Sequence, residues 1–223
     1  METKTIHILM IDDHPSQIEG YKTILKYNNL GLIIETTAAF TSQQAYEIII
    51  DLANALRFDL VFLDRSLPPY LEKDIKTGED LAILIQSFMP ATKIVILTSH
   101  SEAFVLYNIV KRIEPAGLLV KSDFTAEELL SAFDEIIDGE IYYSETVKES
   151  IRELLSREEY LDSYNRQIIT LLSQGIKTKN IPEHLNLSQS TIEKRKVQIK
   201  DYLCIDKGTD EDIVREARRL GFI

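Results

Sequence analysis

The sequence has few of the residues that indicate a disulfide scaffold, a zinc site or a membrane protein. Cys204 is the only cysteine among 223 residues, so the chain cannot form an internal disulfide, which is typical of a reducing cytoplasm. The four histidines lack the spacing of zinc ligands. No apolar run approaches the roughly 18 residues that cross a bilayer, and the first residues lack the regions of a signal peptide. We therefore expect a soluble, cytoplasmic protein without a membrane partner.

Acidic residues outnumber basic ones, and the excess lies in one part of the chain. The net charge is −11. Residues 1–156 carry 13 Lys and Arg against 25 Asp and Glu, whereas residues 157–223 carry 12 against 11. Contact with a polyanion depends on local charge more than on net charge, so the overall acidity does not exclude nucleic acid. Four positive charges of the second part form a short tract, which a solvated helix face would also show: Lys194, Arg195, Lys196 and Lys200.

Short apolar runs alternate with longer amphipathic stretches through the first two-thirds of the chain. The runs are rich in Ile, Val and Leu, as in buried parallel strands. They lie at residues 6–11, 32–34, 60–63, 94–97 and 118–120. Helical patterns follow them at residues 16–27, 42–56, 77–88, 102–112 and 126–137. Five strand–helix units in succession predict a doubly wound α/β fold, with a parallel five-stranded sheet and helices on both faces.

The alternation stops after Gly139, which indicates a second domain. Residues 142–160 are polar and charged, with some helical periodicity. The remaining patterns are all helical, and they lie at residues 164–174, 180–185, 188–203 and 210–220. We therefore predict a first domain at residues 1–138, a linker containing a helix at residues 139–157, and a small all-α domain at residues 158–223.

Polar residues stand at the ends of four predicted strands. Asp12 and Asp13 follow the first, Asp64 follows the third, Thr98 closes the fourth and Lys121 closes the fifth. In the flavodoxin-like order 2-1-3-4-5 these strands are neighbours, so their ends converge where such sheets bind ligands. Crowded carboxylates repel one another, and Mg²⁺ relieves the repulsion. A lone Asp after a strand is more often a cap or turn residue, but the full set favours a site in which a carboxylate attacks phosphorus.

Residues 5–138 resemble the receiver domain of two-component response regulators. The segments that carry the resemblance are IDDHP, LVFLDRSLPP, IVILTS and LLVKSD. The resemblance implies that Asp64 accepts a phosphoryl group from a sensor histidine kinase, and that the chain is otherwise not an enzyme. It implies a Mg²⁺ site formed by Asp13, Asp64 and the Ser66 carbonyl, with Asp12 acting through water. It also implies that Thr98 and Lys121 bind the phosphoryl group on Asp64.

Two features depart from the receiver pattern. The position that usually carries a switch aromatic in the fifth strand is Leu118. The loop at residues 68–77, with the sequence PPYLEKDIKT, is longer than the family normally shows. This loop borders the site. It either tunes partner choice or phosphate lifetime, or is an insertion of the kind that protein surfaces tolerate.

The segment at residues 188–203 predicts an amphipathic helix with Ser188 as its N-cap. Ile192, Ile199 and Leu203 share one face, which we expect to meet the core. Periodicity alone favours a plain helix of a small bundle. A helix-turn-helix protein, however, places the opposite face of such a helix in the major groove of DNA, with basic residues toward the backbone.

A set of residues through the last third of the chain carries a second resemblance: Leu161, Arg166, Leu171, Leu172, Gly175, Lys179, Ile181, Leu185, Ser188, Thr191, Ile192, Ile199 and Leu203. By these residues, 161–223 are similar to the DNA-binding domain of the NarL/FixJ (LuxR-type) regulators. In that family the residues aligned with Glu193, Lys194 and Val197 face the bases. The resemblance implies binding of double-stranded DNA by a homodimer, and a contact set of Lys179, Ser190, Thr191, Glu193, Lys194, Val197 and Lys200. Four positions depart from the family pattern: Asn165 replaces the usual Glu, Pro182 an Ala, Arg195 a His and Cys204 a Gly.

The two resemblances together predict a response regulator. Phosphorylation of Asp64 would control dimerisation and sequence-specific DNA binding, and the helix at residues 210–220 is the candidate dimer contact. Three alternatives remain open: an output domain that binds a protein, a regulator that needs no phosphate, and a phosphatase with Asp64 as its nucleophile. The common aspartyl phosphatases have a second carboxylate two residues after the nucleophile, where this chain has Ser66.

Overall fold

The computed structural model of the chain describes residues 4–51, 58–156, 161–205, 207–220 and 222–223. Its contacts divide the chain into two units. The first comprises Met1–Ser101 and Arg112–Glu145, and the second comprises Glu102–Lys111 and Thr146–Ile223. Within the described part of the chain, none of the helices combines the length and the apolar character that a membrane span requires.

The first unit contains a parallel sheet of six strands in the order β2-β1-β3-β4-β5-β6. The strands are β1 Thr5–Ile11, β2 Ile33–Ala39, β3 Leu60–Asp64, β4 Lys93–Thr98, β5 Gly117–Val120 and β6 Tyr142–Tyr143. Every strand pair is parallel. The doubly wound α/β class and the flavodoxin-like order of the first five strands are thus confirmed. The predicted five-stranded sheet lacks the sixth strand, which lies in the segment predicted as a linker. The sequence did not predict this strand because two residues are too few to show a strand pattern.

Five helices accompany the first five strands. They are α1 Pro15–Leu25, α2 Ser42–Ile50, α3 Gly78–Phe88, α4 Ala103–Ile113 and α5 Ala126–Ile137. Most of α4 is assigned by contacts to the second unit. The helix predicted at residues 42–56 lies partly outside the described residues. Thr77 and Thr125 are the N-caps of α3 and α5. Each takes part in a capping box, in which side chains satisfy amide groups that have no partner inside the helix.

The core of the first unit lies between the sheet and its helices. Strand residues such as Ile8, Phe62 and Leu119 pack with Leu129 and Phe133 of α5, and all five are buried. The three middle strands are apolar along almost their whole length, since both faces of the sheet are covered. This packing fixes the carboxyl ends of the strands, where the candidate site lies.

The second unit is helical, as predicted. It contains α6 Glu145–Leu155, α7 Ser163–Ser173, α8 Ile181–Leu185, α9 Gln189–Tyr202 and α10 Asp210–Arg219. Asp162 caps α7 and Ser188 caps α9, each by accepting a hydrogen bond from a backbone amide. Ile192, Ile199 and Leu203 are buried, so the predicted core face of α9 is confirmed.

Two positions that depart from the LuxR-type pattern have a clear backbone setting. Pro182 lies in the first turn of α8, where its missing amide hydrogen is not needed for the helix. Cys204 follows α9 with a φ of 59°. A glycine adopts this left-handed conformation without strain, whereas a cysteine does so at a cost. The glycine usual at this position therefore has a physical reason.

The long loop at residues 68–77 is folded against α2. Tyr70 and Ile75 form an isolated antiparallel bridge around a 3-10 helix at Leu71–Lys73. The Tyr70 ring lies edge-on to Tyr46, with 5.9 Å between centroids, and the Lys73 ammonium lies 5.4 Å from the Tyr46 ring. The insertion thus has a defined conformation of its own. Whether it tunes the neighbouring site stays an open alternative.

Candidate functional site

The structure brings the polar residues at the strand ends together. The Lys121 ammonium lies 2.7 Å from Asp12 Oδ2 and 3.1 Å from Asp64 Oδ2. Asp12 and Asp64 are only 2% and 3% exposed. Burying two carboxylates this deeply is costly unless a cation pairs with them. Lys121, directly after β5, therefore joins Asp12, directly after β1, and Asp64, the last residue of β3.

A third carboxylate and a histidine complete the acidic cluster. Oxygens of Asp12, Asp13 and Asp64 lie within 4.8 Å of one another, together with a nitrogen of His14. Asp13 Oδ1 is buried and lies 2.8 Å from His14 Nδ1. Hard oxygen donors in this number suit a divalent cation such as Mg²⁺. The cluster is therefore compatible with a metal site.

Sequence reasoning did not include His14 in this site. Its backbone amide donates to Asp12 Oδ1 at 2.8 Å, and its ring extends beside Asp13 with 61% of the side chain exposed. The sequence shows His14 only as the residue before Pro15, which opens α1. That setting is typical of a helix start and gives no signal of a place beside the carboxylates.

The backbone after β3 holds Asp64 in place. The Ser66 amide donates to Asp64 Oδ1 at 3.1 Å, so Ser66 lies beside the acid as expected, and its side chain is exposed. The Arg65 amide donates to the Leu97 carbonyl of β4 at 2.9 Å. The Gly78 amide, at the first residue of α3, donates to the Arg65 carbonyl at 2.9 Å. These bonds fix the turn that carries the carboxylate.

Gly78 approaches this turn so closely that no side chain fits. A Cβ atom at Gly78 would lie 2.3 Å from the Asp64 carbonyl oxygen and 2.9 Å from the Arg65 Cα. Both atoms belong to the backbone, so the end of β3 would have to move. Gly78→Ala is expected to lower the free energy of unfolding by about 1–3 kcal/mol. Denaturant titration measures this effect.

Gly20→Ala is the matched control for this prediction. Gly20 is an exposed residue of α1, and a Cβ there would meet nothing within 4 Å. Alanine in a helix interior is expected to raise stability by about 0.5–1 kcal/mol. Equal stability of the two variants would contradict the close approach at Gly78.

Tyr21 of α1 is a second neighbour that sequence reasoning missed. Its ring stacks on Phe62 of β3, with 6.5 Å between centroids, and its hydroxyl donates to Gln17 at 3.2 Å. Burial, and then the charges of Asp12 and Asp64, raise the pKa of the Tyr21 hydroxyl above its ordinary value. Tyr21 therefore stays neutral near the acidic cluster. The sequence places Tyr21 only within a helical pattern at residues 16–27, which gives no signal of a neighbouring acidic site.

Thr98 and Leu118 are both buried in the sheet. Thr98 Oγ1 accepts a hydrogen bond from the His100 amide at 3.0 Å, and the Thr98 carbonyl accepts one from the Lys121 amide at 2.7 Å. Leu118, at the position of the usual switch aromatic, is fully buried and is paired with Tyr143 of β6. The chain thus has an aromatic residue beside that position, on a neighbouring strand.

The helix α9 presents an exposed face with both polar and apolar groups. Ser190, Glu193, Lys194 and Val197 are exposed, and Val197 is 68% exposed. Thr191 is half-buried and its hydroxyl lies 2.8 Å from that of the cap Ser188. Lys179 is exposed in the turn before α8. An exposed valine among polar residues suits contact with the methyl group of thymine.

Most of the basic tract on α9 is engaged within the protein. Arg195 donates to Asp162 at 2.7 Å and to the Asn165 side chain at 3.0 Å. Lys200, which the sequence placed among DNA contacts, donates to the Gly208 carbonyl at 2.6 Å. Lys196 is buried. Within the described residues, Lys194 is the member of the tract whose ammonium has no hydrogen bond or ion pair.

Arg195 and Asn165 both depart from the family pattern, and they contact each other. The Asp162 carboxylate both caps α7 and accepts from Arg195. Burial raises the pKa of this carboxyl, but hydrogen bonds from the Asn165 amide and from Arg195 outweigh it, so the pKa lies below its usual value. The Arg195 guanidinium also lies 5.0 Å from the Tyr164 ring. This contact fixes α9 against the start of α7.

Comparison with known proteins identifies sequence relatives of the whole chain. The model of the response regulator receiver domain family matches residues 8–134. The transcriptional regulatory protein MctR of Rhizobium johnstonii is 25% identical over 224 residues, which cover 100% of this chain and 97% of MctR. The oxygen regulatory protein NreC of Staphylococcus aureus is 26% identical over 204 residues, which cover 86% of this chain and 88% of NreC.

Solved structures show the same fold. RcsB of Salmonella enterica serovar Typhimurium, bound to a promoter in the presence of the phosphomimetic BeF₃⁻, has a TM-score of 0.56 and 18% identity. The match covers 95% of this chain and 97% of the RcsB chain. A structure of two RcsB dimers bound to two DNAs has a TM-score of 0.57 at 18% identity, and covers 96% of this chain and 98% of that chain. At this identity the likeness confirms the fold class, a receiver-like sheet followed by a helical domain.

Proposed function

The chain belongs to the response regulator receiver domain family, and on this premise we propose that phosphorylation of Asp64 controls DNA binding by the C-terminal helices and so regulates transcription. The observation that carries the proposal is the Lys121 ammonium between Asp12 and Asp64. A buried acid paired with a lysine is equipped to accept a phosphoryl group.

The chemistry at Asp64 is the transfer of a phosphoryl group from a donor to a carboxylate oxygen of Asp64. A carboxylate oxygen of Asp64 bonds to phosphorus, and the bond from phosphorus to the donor breaks. The electron pair of that bond stays with the donor, which is a phosphohistidine of a sensor kinase in the proposed pathway. Lys121 pairs with the phosphoryl oxygens and the Thr98 hydroxyl donates to one of them. The chain carries out this transfer on itself and acts on no outside substrate.

Mg²⁺ is the proposed cofactor because the donor set fits it. Asp12, Asp13 and Asp64 supply hard oxygen donors, and Asp13 Oδ1 is buried. The Ser66 carbonyl is proposed as a further donor. When bound, a divalent cation offsets the negative charge that accumulates between the carboxylates and the phosphoryl oxygens. Lys121, Thr98 and the Ser66 amide orient the groups around it.

The proposed partner of the second unit is double-stranded DNA, bound by a homodimer in the cytoplasm. The exposed face of α9 and Lys179 supply the proposed contacts. RcsB, whose fold is similar, forms dimers on DNA, and both MctR and NreC are named as regulators. A dimer is expected because one short recognition helix reads few base pairs. The helix α10 is the proposed contact between copies.

DNA binding separates this proposal from an output domain that binds a protein. Genomic DNA fragments would first be selected for binding to the protein treated with BeF₃⁻ and Mg²⁺. The affinity for one selected duplex would then be measured at about 50–300 mM salt, the range over which phosphate contacts dominate. We expect tighter binding with BeF₃⁻, and an affinity that falls linearly with salt on logarithmic axes. Binding that is absent at low salt, with and without BeF₃⁻, would favour the protein-interaction alternative.

A further inference from the structure

Lys196 is a buried basic residue in the middle of the proposed recognition helix. It is only 9% exposed, whereas Lys194 on the same helix is exposed. A lysine is almost never buried unless it is paired. We infer that Lys196 is a positioning residue, which fixes α9 against α10 and the turn before α8, and that it contacts no DNA phosphate. The inference rests on the proposed DNA-binding function.

The Lys196 ammonium joins three elements of the second unit. It lies 2.7 Å from Asp210 Oδ1, at the first residue of α10. It donates to Thr178 Oγ1 at 2.9 Å, in the 3-10 turn before α8. The Thr178 hydroxyl in turn donates to Asp210 Oδ2 at 2.5 Å. The three side chains form a closed triangle, so a shift of any one element would break two of its contacts.

The Asp210 carboxyl of this triangle is held in its ionised form. Burial raises the pKa of Asp210, but hydrogen bonds from Lys196 and Thr178 outweigh it and hold the pKa below its usual range. Glu193, one turn earlier on α9, lies 3.6 Å from the ammonium and adds to the negative environment. A buried ion pair of this kind adds little stability compared with apolar residues, but it can specify one geometry.

The position of Lys196 on α9 shows which property it specifies. It lies on the same side as Ile192 and Ile199, four residues before it and three after it, and both are buried. Lys194 and Val197 lie on the exposed side. Apolar contacts tolerate a small rotation of a helix, whereas a charged triangle with defined hydrogen bonds does not. Lys196 therefore sets the rotation of α9 and, with it, the direction of the exposed residues.

A positioning lysine and a phosphate-binding lysine differ in how their loss changes salt dependence. A phosphate contact that is lost reduces the slope of log affinity against log salt by about 1. The full-length chain, with BeF₃⁻ and Mg²⁺, would be titrated with a selected duplex at several salt concentrations. Lys196→Met is expected to weaken binding about tenfold or more with an unchanged slope, since Asp210 loses its partner. Lys194→Met, the matched control, is expected to reduce the slope by about 1.

Combination with Asp210→Asn supplies a second readout. Because the uncompensated Asp210 causes the defect, Lys196→Met and Asp210→Asn are expected to be non-additive in both affinity and urea midpoint. Lys194→Met and Asp210→Asn are expected to be additive. The double variant Lys196→Met/Asp210→Asn leaves no unpaired carboxylate at this position, so it serves if Lys196→Met alone fails to fold.

The outcomes separate this inference from the proposed function. A slope reduced in Lys196→Met as much as in Lys194→Met would overturn the positioning role while DNA binding stands. Additive urea midpoints for Lys196→Met and Asp210→Asn would overturn it as well. A native chain that binds no duplex would remove the proposed function, and the inference with it.

Discussion

Asp64→Asn is expected to abolish labelling of the protein by acetyl phosphate in the presence of Mg²⁺. The amide oxygen of asparagine is a poor nucleophile, and the substitution also removes a charge from the acidic cluster. The Ser66 amide can still donate to the new side chain, so the turn after β3 should persist. Labelling would be followed by intact mass, and the bond identified by its sensitivity to hydroxylamine, which cleaves acyl phosphates but not phosphoserine.

Asp74→Asn is the matched control for Asp64→Asn. Asp74 is an exposed acid of the 68–77 loop with a φ of 55°, a conformation that asparagine adopts readily. It should be labelled like the native chain. Equal labelling of Asp64→Asn and the native chain would show that another residue accepts the phosphoryl group, and the proposal for Asp64 would fall.

Lys121→Met is expected to slow labelling about 100- to 1,000-fold, the usual effect of losing one group that stabilises a transition state. It should also destabilise the metal-free fold by about 3–5 kcal/mol, since Asp12 and Asp64 would then be buried without a cation. Added Mg²⁺ should restore much of this stability, because a bound cation offsets the same charges. Urea titrations with and without Mg²⁺ measure the stability, and intact mass measures the labelling.

Lys76→Met is the control for the stability effect. Lys76 is paired with Asp74 at 3.0 Å, but both side chains are mostly exposed, and such pairs contribute little. The free energy of unfolding of Lys76→Met should match that of the native chain, and added Mg²⁺ should raise it no more than it raises that of the native chain. A Lys121→Met variant as stable as the native chain without Mg²⁺ would show that the acids do not depend on this lysine.

The fold of the first unit was predictable because its strands have a strong sequence signal. Strands such as β3 and β4 are buried on both faces, so their sequences are continuous apolar runs between polar residues. The strand β6 has two residues and no such run. Its pairing depends on the chain returning beside β5, a long-range contact that periodicity does not contain.

The candidate site was predictable in its members but not in its neighbours. Asp12, Asp64 and Lys121 were found because residues at the ends of adjacent parallel strands must converge. Tyr21 belongs to α1 and His14 is the N-cap before it, and the sequence alone does not fix how α1 is turned toward the sheet edge. On α9 the helix and its core face were predictable, whereas the directions of the Lys196 and Lys200 side chains depend on acceptors that lie beyond the end of α9.

The strand β6 has a consequence for where the chain can be divided. Its residues satisfy main-chain groups at the margin of β5: the Tyr142 amide donates to the Ala116 carbonyl and the Ser144 amide to the Leu118 carbonyl, each at 3.0 Å. A fragment ending at Asp138 would lose these donors and leave a bare strand edge, which is a template for self-association. A fragment extended through Ser144 would retain its own protective border. The segment after Gly139 thus pairs with the edge of β5 as well as connecting the sheet to α6.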